Sequence, residues 1–500
     1  MNNTVLVKRN IVTTVILQIV TIICGFILPK LILSYFGSEV YGLTSSITQF
    51  LNYIQLLEGG LTGVIMAALY KPLAENDTKK VSGVVKATEV FFRKIGIIYI
   101  IYVVLLSIIY PIIVKTSFSY IYVLTLVIII GISSFIQYFF SLTYRILINA
   151  DRKGYIVSIA NIVFLLLNLG LTIIAFKIYP EIHLIKFINA VSFTVQPIIF
   201  TLYVEKNYKI DKSVDPDKTA LKQRWDGFGQ NIAFFIHSNT DIVILTFFSL
   251  GQVSVYAVYS MIVSAIKNLI NAIASAIAPS MGNVLVSQSH ENKNRVFDNF
   301  EFIIGIITTT MFTCCMLLIL PFVKVYTANI NDANYIQPIF AVLLCVAEAV
   351  YCLRAPYISV AYSSGHFKQT TKYAYIEAGL NIVISLVLVS HLGLVGVAIG
   401  TLVSMIYRMT AHIVYLKNNI LDRTIIKAIK NLVPFIVSST ASTLIVSFFV
   451  KIDVSGYFSW CIFAVLVCII VVTLQIVSML MFRRSMFVSF MKTYLLRKRS

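Results

Sequence analysis

Charge is scarce in this sequence, and acidic charge is scarcest. Of 500 residues, 21 are Asp or Glu and 40 are Lys or Arg, a charged share of 12% where a soluble chain carries about a quarter. Water therefore cannot be the solvent for most of the surface. Glycine numbers only 22, which excludes a collagen-like fibre. The apolar richness that accompanies the missing charge excludes a disordered chain. Cysteine occurs seven times, at 24, 314, 315, 345, 352, 461 and 468, always inside apolar runs and never with CxxC spacing. That placement suits small packing residues and excludes a disulfide scaffold. Histidine occurs six times without clustering. Catalytic patterns are equally thin. Gly37-Ser38-Glu39-Val40-Tyr41-Gly42-Leu43-Thr44 has the outline of a phosphate-binding loop but lacks its Lys, and His290-Glu291 opens an HExxH pattern in which Asn294 replaces the second His. Neither ATP hydrolysis nor a zinc site is expected, and no metal or cofactor is called for.

What the chain has is hydrocarbon. Apolar residues make up 58% and the mean hydropathy is +0.88, enough for roughly fourteen membrane helices of about 20 residues each. Runs bounded by charge, Gly or Pro place them near 11–36, 41–70, 92–114, 119–145, 154–177, 183–204, 227–249, 253–286, 299–323, 335–363, 370–391, 393–416, 429–450 and 456–482. Residues 11–29 are long enough to span and lack a small-x-small cleavage site, so the first span is expected to stay in the protein.

The bases then set the orientation. One alternating set of segments collects 32 of the 40: those around residues 8–9, 71–94, 145–153, 206–224, 293–295, 368–372, 408–430 and 483–499. The other set has only Lys115, Lys177, Lys186, Lys324 and Lys451. A wrong span count would scramble this bias, so both termini are expected on the cytoplasmic side. The net charge of +19 is topological and attracts anionic lipids rather than nucleic acid.

The fold class that follows is an all-α polytopic membrane protein of about 14 transmembrane helices. An N-terminal six-helix half (1–204) is joined by a polar cytoplasmic linker (205–226) to a C-terminal six-helix half (227–417). Two additional helices (418–482) and a basic amphipathic tail (483–500) complete the chain. The halves repeat faintly: Tyr41 and Tyr256, Val81 and Val296, Pro111 and Pro321, and Asn168 and Asn381 recur at separations of 210 to 215 residues. Six helices per repeat is an even number, so the repeats are parallel and are expected to face each other around a central cleft.

Ionisable groups inside spans are the candidate functional residues, because each is costly in hydrocarbon unless a partner or cavity receives it. Three are basic. Lys267 lies about 14 residues, or ~21 Å, into the eighth span, Arg354 is deep in the tenth, and Lys30 is near the outer end of the first. These are the candidate binders of an anionic substrate. Glu58, just before Gly59-Gly60, with Asp241, Glu348 and Glu377, are the candidate ion-coupling or hinge carboxylates. Uncharged polar residues such as Gln137, Asn168, Asn239, Asn271 and Asn381 also lie within spans, beyond what helix packing alone requires.

Several patterns together resemble the polysaccharide flippases (O-antigen and capsule, Wzx-type) of the multidrug/oligosaccharidyl-lipid/polysaccharide exporter superfamily. They are Tyr35-Phe36-Gly37 with Glu39-Val40-Tyr41-Gly42, Leu57-Glu58-Gly59-Gly60-Leu61 and Leu73-Ala74-Glu75-Asn76-Asp77. The turn Ala150-Asp151-Arg152-Lys153 and Asn239-Thr240-Asp241 ahead of Val255-Tyr256-Ala257-Val258-Tyr259 complete the set. The resemblance covers nearly the whole chain. It implies translocation, by alternating access, of undecaprenyl-pyrophosphate-linked oligosaccharide repeat units from the cytoplasmic to the outer leaflet for surface polysaccharide assembly. A coupling ion (proton or Na⁺) and a polysaccharide polymerase are the partners implied. A drug exporter or a lipid II flippase of the same superfamily is the alternative. From another class, an integral-membrane polysaccharide polymerase or glycosyltransferase would need a large external loop, and none here exceeds about a dozen residues.

Overall fold

A computed structural model describes residues 3–58, 61–211, 213–217, 235, 239–287, 290–450 and 452–490. The expected break at Gly59-Gly60, most of the segment 218–238, the later part of the linker and the tail beyond residue 490 lie outside the described residues.

Every regular element among the described residues is a helix. The first stretch runs α1 (Asn3–Asn52), α2 (Gln55–Glu58), α3 (Leu61–Ala74), α4 (Thr78–Ile113) and α5 (Tyr120–Ile136), then a five-residue π segment (Gln137–Ser141) and α6 (Leu142–Ala150). Next come α7 (Gly154–Ile178), α8 (Ile182–Phe193), α9 (Val195–Asn207) and α10 (239–246). The chain continues with α11 (Leu250–Ser287), α12 (His290–Tyr326), α13 (Pro338–Leu353), α14 (Ala355–Ser363), α15 (Phe367–Leu392), α16 (Leu394–Asn419), α17 (Ile425–Phe449), α18 (Tyr457–Phe482) and α19 (Arg484–Phe490). Among the described residues twelve helical stretches are long and apolar enough to cross a membrane, and Leu61–Ala74 is a shorter apolar helix. The first of the twelve, Val5–Glu58, is 54 residues long and holds the first expected span and the start of the second. The expectation of about fourteen helices is thereby met.

The sequence explains where helices begin and turn. Asp77, Ser119, Glu181 and Thr424 stand just before α4, α5, α8 and α17, each accepting a hydrogen bond from the backbone N–H three residues on, which satisfies an orphan donor. Gly37 interrupts α1 with φ 77° and ψ −177°, left-handed backbone that glycine adopts without a Cβ penalty. What had the outline of a phosphate loop is thus a bend inside a helix. Its Glu39 carboxylate accepts bonds from the Ser117 backbone N–H at 2.8 Å and the Thr116 hydroxyl at 2.9 Å.

The exposed surface is apolar, unlike that of a water-soluble protein, and polar side chains are among the buried ones. On α4, Ile97, Ile98, Ile101, Val104, Leu105 and Ile108 are exposed, while Ser82, Thr88 and Ser107 are buried. On α16, Thr401, Ser404, Arg408 and His412 form the inner stripe. An apolar outside with polar groups turned inward is what hydrocarbon solvent demands. The chain is a multi-pass membrane protein.

The chain divides into two compact units, Met1–Ser254 and Val255–Ser500. The division falls later than the linker because α10 and the residues after it belong with the first unit. There the Ser46 and Thr246 hydroxyls meet at 2.6 Å, and Phe50 packs edge-on against Phe247. The start of the linker lies along α4, with the Asp211 N–H donating to Ser82 Oγ at 2.9 Å and the Asp217 N–H to the Gly83 carbonyl at 3.0 Å.

The element order repeats. A 36-residue helix with Pro111 near its end corresponds to a 37-residue helix with Pro321 near its end. The interrupted α5–π–α6 corresponds to α13 and α14, interrupted at Arg354. Helix α7, 25 residues long, corresponds to the 26-residue α15. Asn168 and Asn381, which the sequence spacing pairs, are both buried, on α7 and α15. The interruption carries Gln137 in the first unit and the charged Arg354 in the second, so the repeated framework bears different chemistry in its two copies.

Candidate functional site

The second unit gathers four of the seven sequence candidates into one connected set. Glu348 and Tyr351 on α13, with Arg354 at its C-terminal boundary, fall at steps of three residues and so share a helix face. Lys267 reaches this face from α11: its Nζ lies 3.0 Å from Glu348 Oε1 and 5.2 Å from the centroid of the Tyr351 ring. The Arg354 guanidinium lies 4.8 Å from the centroid of the same ring. Tyr351 thus carries two cations at contact distance, a cation–π arrangement that partly replaces lost hydration.

Arg354 in turn donates to Glu377 Oε1 on α15 at 2.5 Å, and Arg408 of α16 donates to Glu377 Oε2. One carboxylate therefore bridges two guanidiniums, and all three residues are buried. The hairpin of α15 and α16 makes this possible. It turns on a single residue, Gly393, with φ 54°, and its arms come so close that a Cβ on Gly400 would lie 2.3 Å from Ser385 Oγ and 3.0 Å from the Ser385 backbone nitrogen. Only glycine permits that approach, which carries Arg408 to Glu377.

The set holds three bases, Lys267, Arg354 and Arg408, against two carboxylates, Glu348 and Glu377. Desolvating an ion costs several kcal/mol, offset only by good pairing, and the set carries one positive charge more than its carboxylates balance. The pairs differ in access. The side chains of Lys267 and Glu348 are 20% and 11% exposed, those of Arg354 and Glu377 4% and 2%.

The other three candidates lie in the first unit. Lys30 is half-buried on α1. Glu58 ends α2, its Oε1 accepting from the Thr62 hydroxyl at 2.9 Å. Asp241 is buried on α10. Among the described residues no group of three or more His, Cys, Asp or Glu could hold a metal ion.

Two buried bases escaped the sequence reading, which counted Arg408 and Arg423 among the cytoplasmic bases. Arg408 lies within α16, and the signal was its place in the four-residue series Gly400, Ser404, Arg408, His412. Arg423 precedes α17 and joins a second network. Its Nη2 donates to Glu301 Oε2 at 2.5 Å and its Nη1 to Glu301 Oε1 at 3.1 Å. Asn431 Nδ2 donates to Glu301 Oε2 at 2.7 Å, and the Tyr357 hydroxyl donates to Oε1. Lys427 Nζ donates to Asp298 at 2.5 Å. Asp298 and Glu301 are three apart on α12 and Arg423 and Lys427 four apart, but the two pairs are more than 120 residues apart in the chain, so sequence carries no signal that they meet.

No family model matches this chain, and no curated protein matches it by sequence. Solved structures do resemble it. The lipid II flippase MurJ in an inward closed conformation superposes with a TM-score of 0.71 at 14% identity, covering 96% of this chain and 99% of MurJ. An inward-facing multidrug resistance MATE family transporter of the MOP superfamily gives 0.60 at 15% identity, over 80% of this chain and 98% of the transporter. The Vibrio cholerae MATE transporter VcmN in its bent form gives 0.53 at 14% identity, over 83% of this chain and 97% of that one. At such identities the likeness is one of fold: this chain has the helical fold that MurJ and the MATE transporters share.

Proposed function

We propose that this chain is a flippase for a lipid-linked anion, moving undecaprenyl-pyrophosphate-linked oligosaccharide from the cytoplasmic to the outer leaflet of the bacterial plasma membrane by alternating access. The observation that carries this reading is the surplus base in the buried set of the second unit, with Lys267 as its partly open member. A pyrophosphate crossing about 30 Å of hydrocarbon needs fixed positive charge along the way, and an ammonium on a flexible stem supplies it without demanding one geometry. The fold shared with a lipid II flippase supports a lipid-borne cargo. Drug export, the alternative that the multidrug resistance MATE likeness supports, would for a cationic drug be opposed by the repulsion of that surplus charge. Glu58 and Asp241 of the first unit are the proposed coupling groups for a proton or Na⁺, and the basic tail is the proposed contact with anionic lipids.

The deciding experiment removes Lys267, because Arg354 is locked into the fold. Lys267→Ala is expected to abolish surface glycan while the protein remains in the membrane at its normal level. The lost contact is worth about 1.5–3 kcal/mol, roughly ten- to a hundred-fold in affinity. Lys267→Arg should retain function if a positive charge suffices. The double variant Lys267→Ala, Glu348→Ala, which leaves no unpaired carboxylate, should fold as the wild type does and still fail to export glycan. Normal surface glycan in a well-expressed Lys267→Ala would sink the reading, and unchanged glycan with lost drug tolerance in a deletion strain would favour the exporter.

The proposed topology has its own check. In a cysteine-free background, Ser213→Cys in the linker should react only from the cytoplasm. Asn331→Cys, exposed beyond α12, should react from outside. Labelling of position 213 from outside would overturn the orientation of the whole chain.

A further inference from the structure

We propose that Glu348 is a built-in competitor of the cargo phosphate: it occupies Lys267 when no cargo is present, is displaced on loading, and returns to drive release. This deepens the flippase reading and rests on it.

The two carboxylates of the set are held very differently. Glu377 uses both oxygens, one on each of two guanidiniums, and is almost wholly buried. Glu348 uses one. Its Oε1 accepts from Lys267 at 3.0 Å, while its Oε2 has no hydrogen-bond partner among the described residues. A carboxylate with an idle oxygen, in the more open of the two pairs, is the group that can leave.

Lys267 is suited to the exchange. An ammonium has three donors and no preferred fork, so it can turn from one anion to another without breaking a planar bidentate contact. Tyr351 faces it on one side with Arg354 over the same ring. When Glu348 swings away, Lys267 therefore keeps an aromatic face but has lost its counter-charge. The fixed triad of Arg354, Glu377 and Arg408 retains its own positive excess throughout. An incoming pyrophosphate, with more than one negative charge, meets a site that attracts it more strongly than it attracts a single carboxylate.

Competition also solves a problem that a bare cationic site would create. A buried ammonium with no internal partner would hold a pyrophosphate too long to turn over. A tethered carboxylate lowers the apparent affinity by the fraction of time the site stands open, and it recaptures the ammonium as cargo departs. Deleting it should therefore tighten binding and slow transport together, a combination that a merely structural ion pair does not predict.

The test titrates the purified full-length protein with inorganic pyrophosphate and, separately, with geranyl pyrophosphate, and follows surface glycan in cells carrying the same variants. Glu348→Gln is expected to bind both probes about ten- to a hundred-fold more tightly than wild type and to support less glycan. Lys267→Ala is expected to lose binding. Should Glu348→Gln not be recovered folded, Glu348→Asp decides: its shorter reach should weaken the hold on Lys267 and tighten binding severalfold, and an unchanged affinity overturns the proposal. If Lys267→Ala loses binding while Glu348→Gln binds no better than wild type, the competitor role falls and the flippase reading stands. If neither wild type nor Glu348→Gln binds either probe, both fall. Tightening toward inorganic pyrophosphate alone would assign the site to a soluble phosphate and overturn the lipid-cargo form.

Discussion

Glu377→Ala should destabilise the second unit more than any other single change in the ionic set around Tyr351. The carboxylate pairs with both Arg354 and Arg408, and both arginines are buried, at 3% and 5% exposure. Its removal leaves two like charges facing each other in an apolar interior. Breaking a single buried pair costs about 3–5 kcal/mol, and this substitution breaks two with one carboxylate. Thermal unfolding in detergent should reveal the loss, together with reduced protein in the membrane. Glu377→Gln keeps a carbonyl acceptor for one guanidinium and should lose less. Replacing the triad whole, with Arg354→Met, Glu377→Leu and Arg408→Met, should recover most of the stability, since a well-packed apolar substitute for a buried ion network is often neutral or better. Surface glycan is not expected to return with it, because the site then lacks its fixed positive charge. A Glu377→Ala protein that unfolds at the wild-type temperature would show that the triad is hydrated rather than buried.

The fold was largely legible in the sequence because membrane helices are written in long, simple signals. Apolar length located most of the described helices to within a few residues, but α1 begins at Asn3 and runs on through the expected break near 36–41 to Asn52, and α4 and α12 start well before the apolar run in polar sequence, at Thr78 and His290. Hydropathy stops at the headgroups, whereas a helix continues wherever its backbone bonds can form. The candidate site was legible only in part. Depth in a span marked Lys267, Arg354, Glu348 and Glu377 as costly, but it could not say that they would meet, because their partners lie 81 and 23 residues apart in sequence. Arg408 was misjudged for a related reason. Counting bases by segment assigns every Arg near a span end to the aqueous side. Burial of Arg408 depends on which way α16 is rotated, and that is set by Gly400 against Ser385. Glu39 shows the reverse case: the sequence around it looked like a ligand loop, and the structure occupies it with the Thr116–Ser117 turn.

Glu301→Ala is the second change expected to have a large effect, and it acts at a different place. Glu301 on α12 accepts hydrogen bonds from Arg423, Asn431 and Tyr357, and Arg423 also lies 4.9 Å from the centroid of the Phe297 ring. Through these contacts one carboxylate fastens α12 to α14 and to the start of α17. The additional helix pair α17 and α18 is otherwise held to α12 mainly by apolar packing, with Phe302, Phe435 and Met479 in one cluster and Val446, Phe463, Val467 and Val471 in another, together with the Thr313–Ser439 hydroxyl contact at 2.7 Å and the bond from Trp460 Nε1 to the Leu318 carbonyl at 3.3 Å. Removing Glu301 leaves Arg423 with Asp298 at 3.5 Å as its remaining acidic neighbour. Asp298 is already engaged by Lys427, so the guanidinium loses its bidentate partner. A loss of about 3–5 kcal/mol is expected, concentrated in the anchoring of α17. Hydrogen exchange should report it as faster exchange around residues 423–435, with little change on α15 and α16. Glu301→Gln should fall between, and Arg423→Lys should resemble the alanine variant, because an ammonium cannot reach both carboxylate oxygens as the guanidinium fork does. Exchange that rises equally across α15 and α16 would mean that the two ionic networks form one cooperative unit. In that case the latch at Glu301 and the set around Tyr351 would have to be treated as a single device.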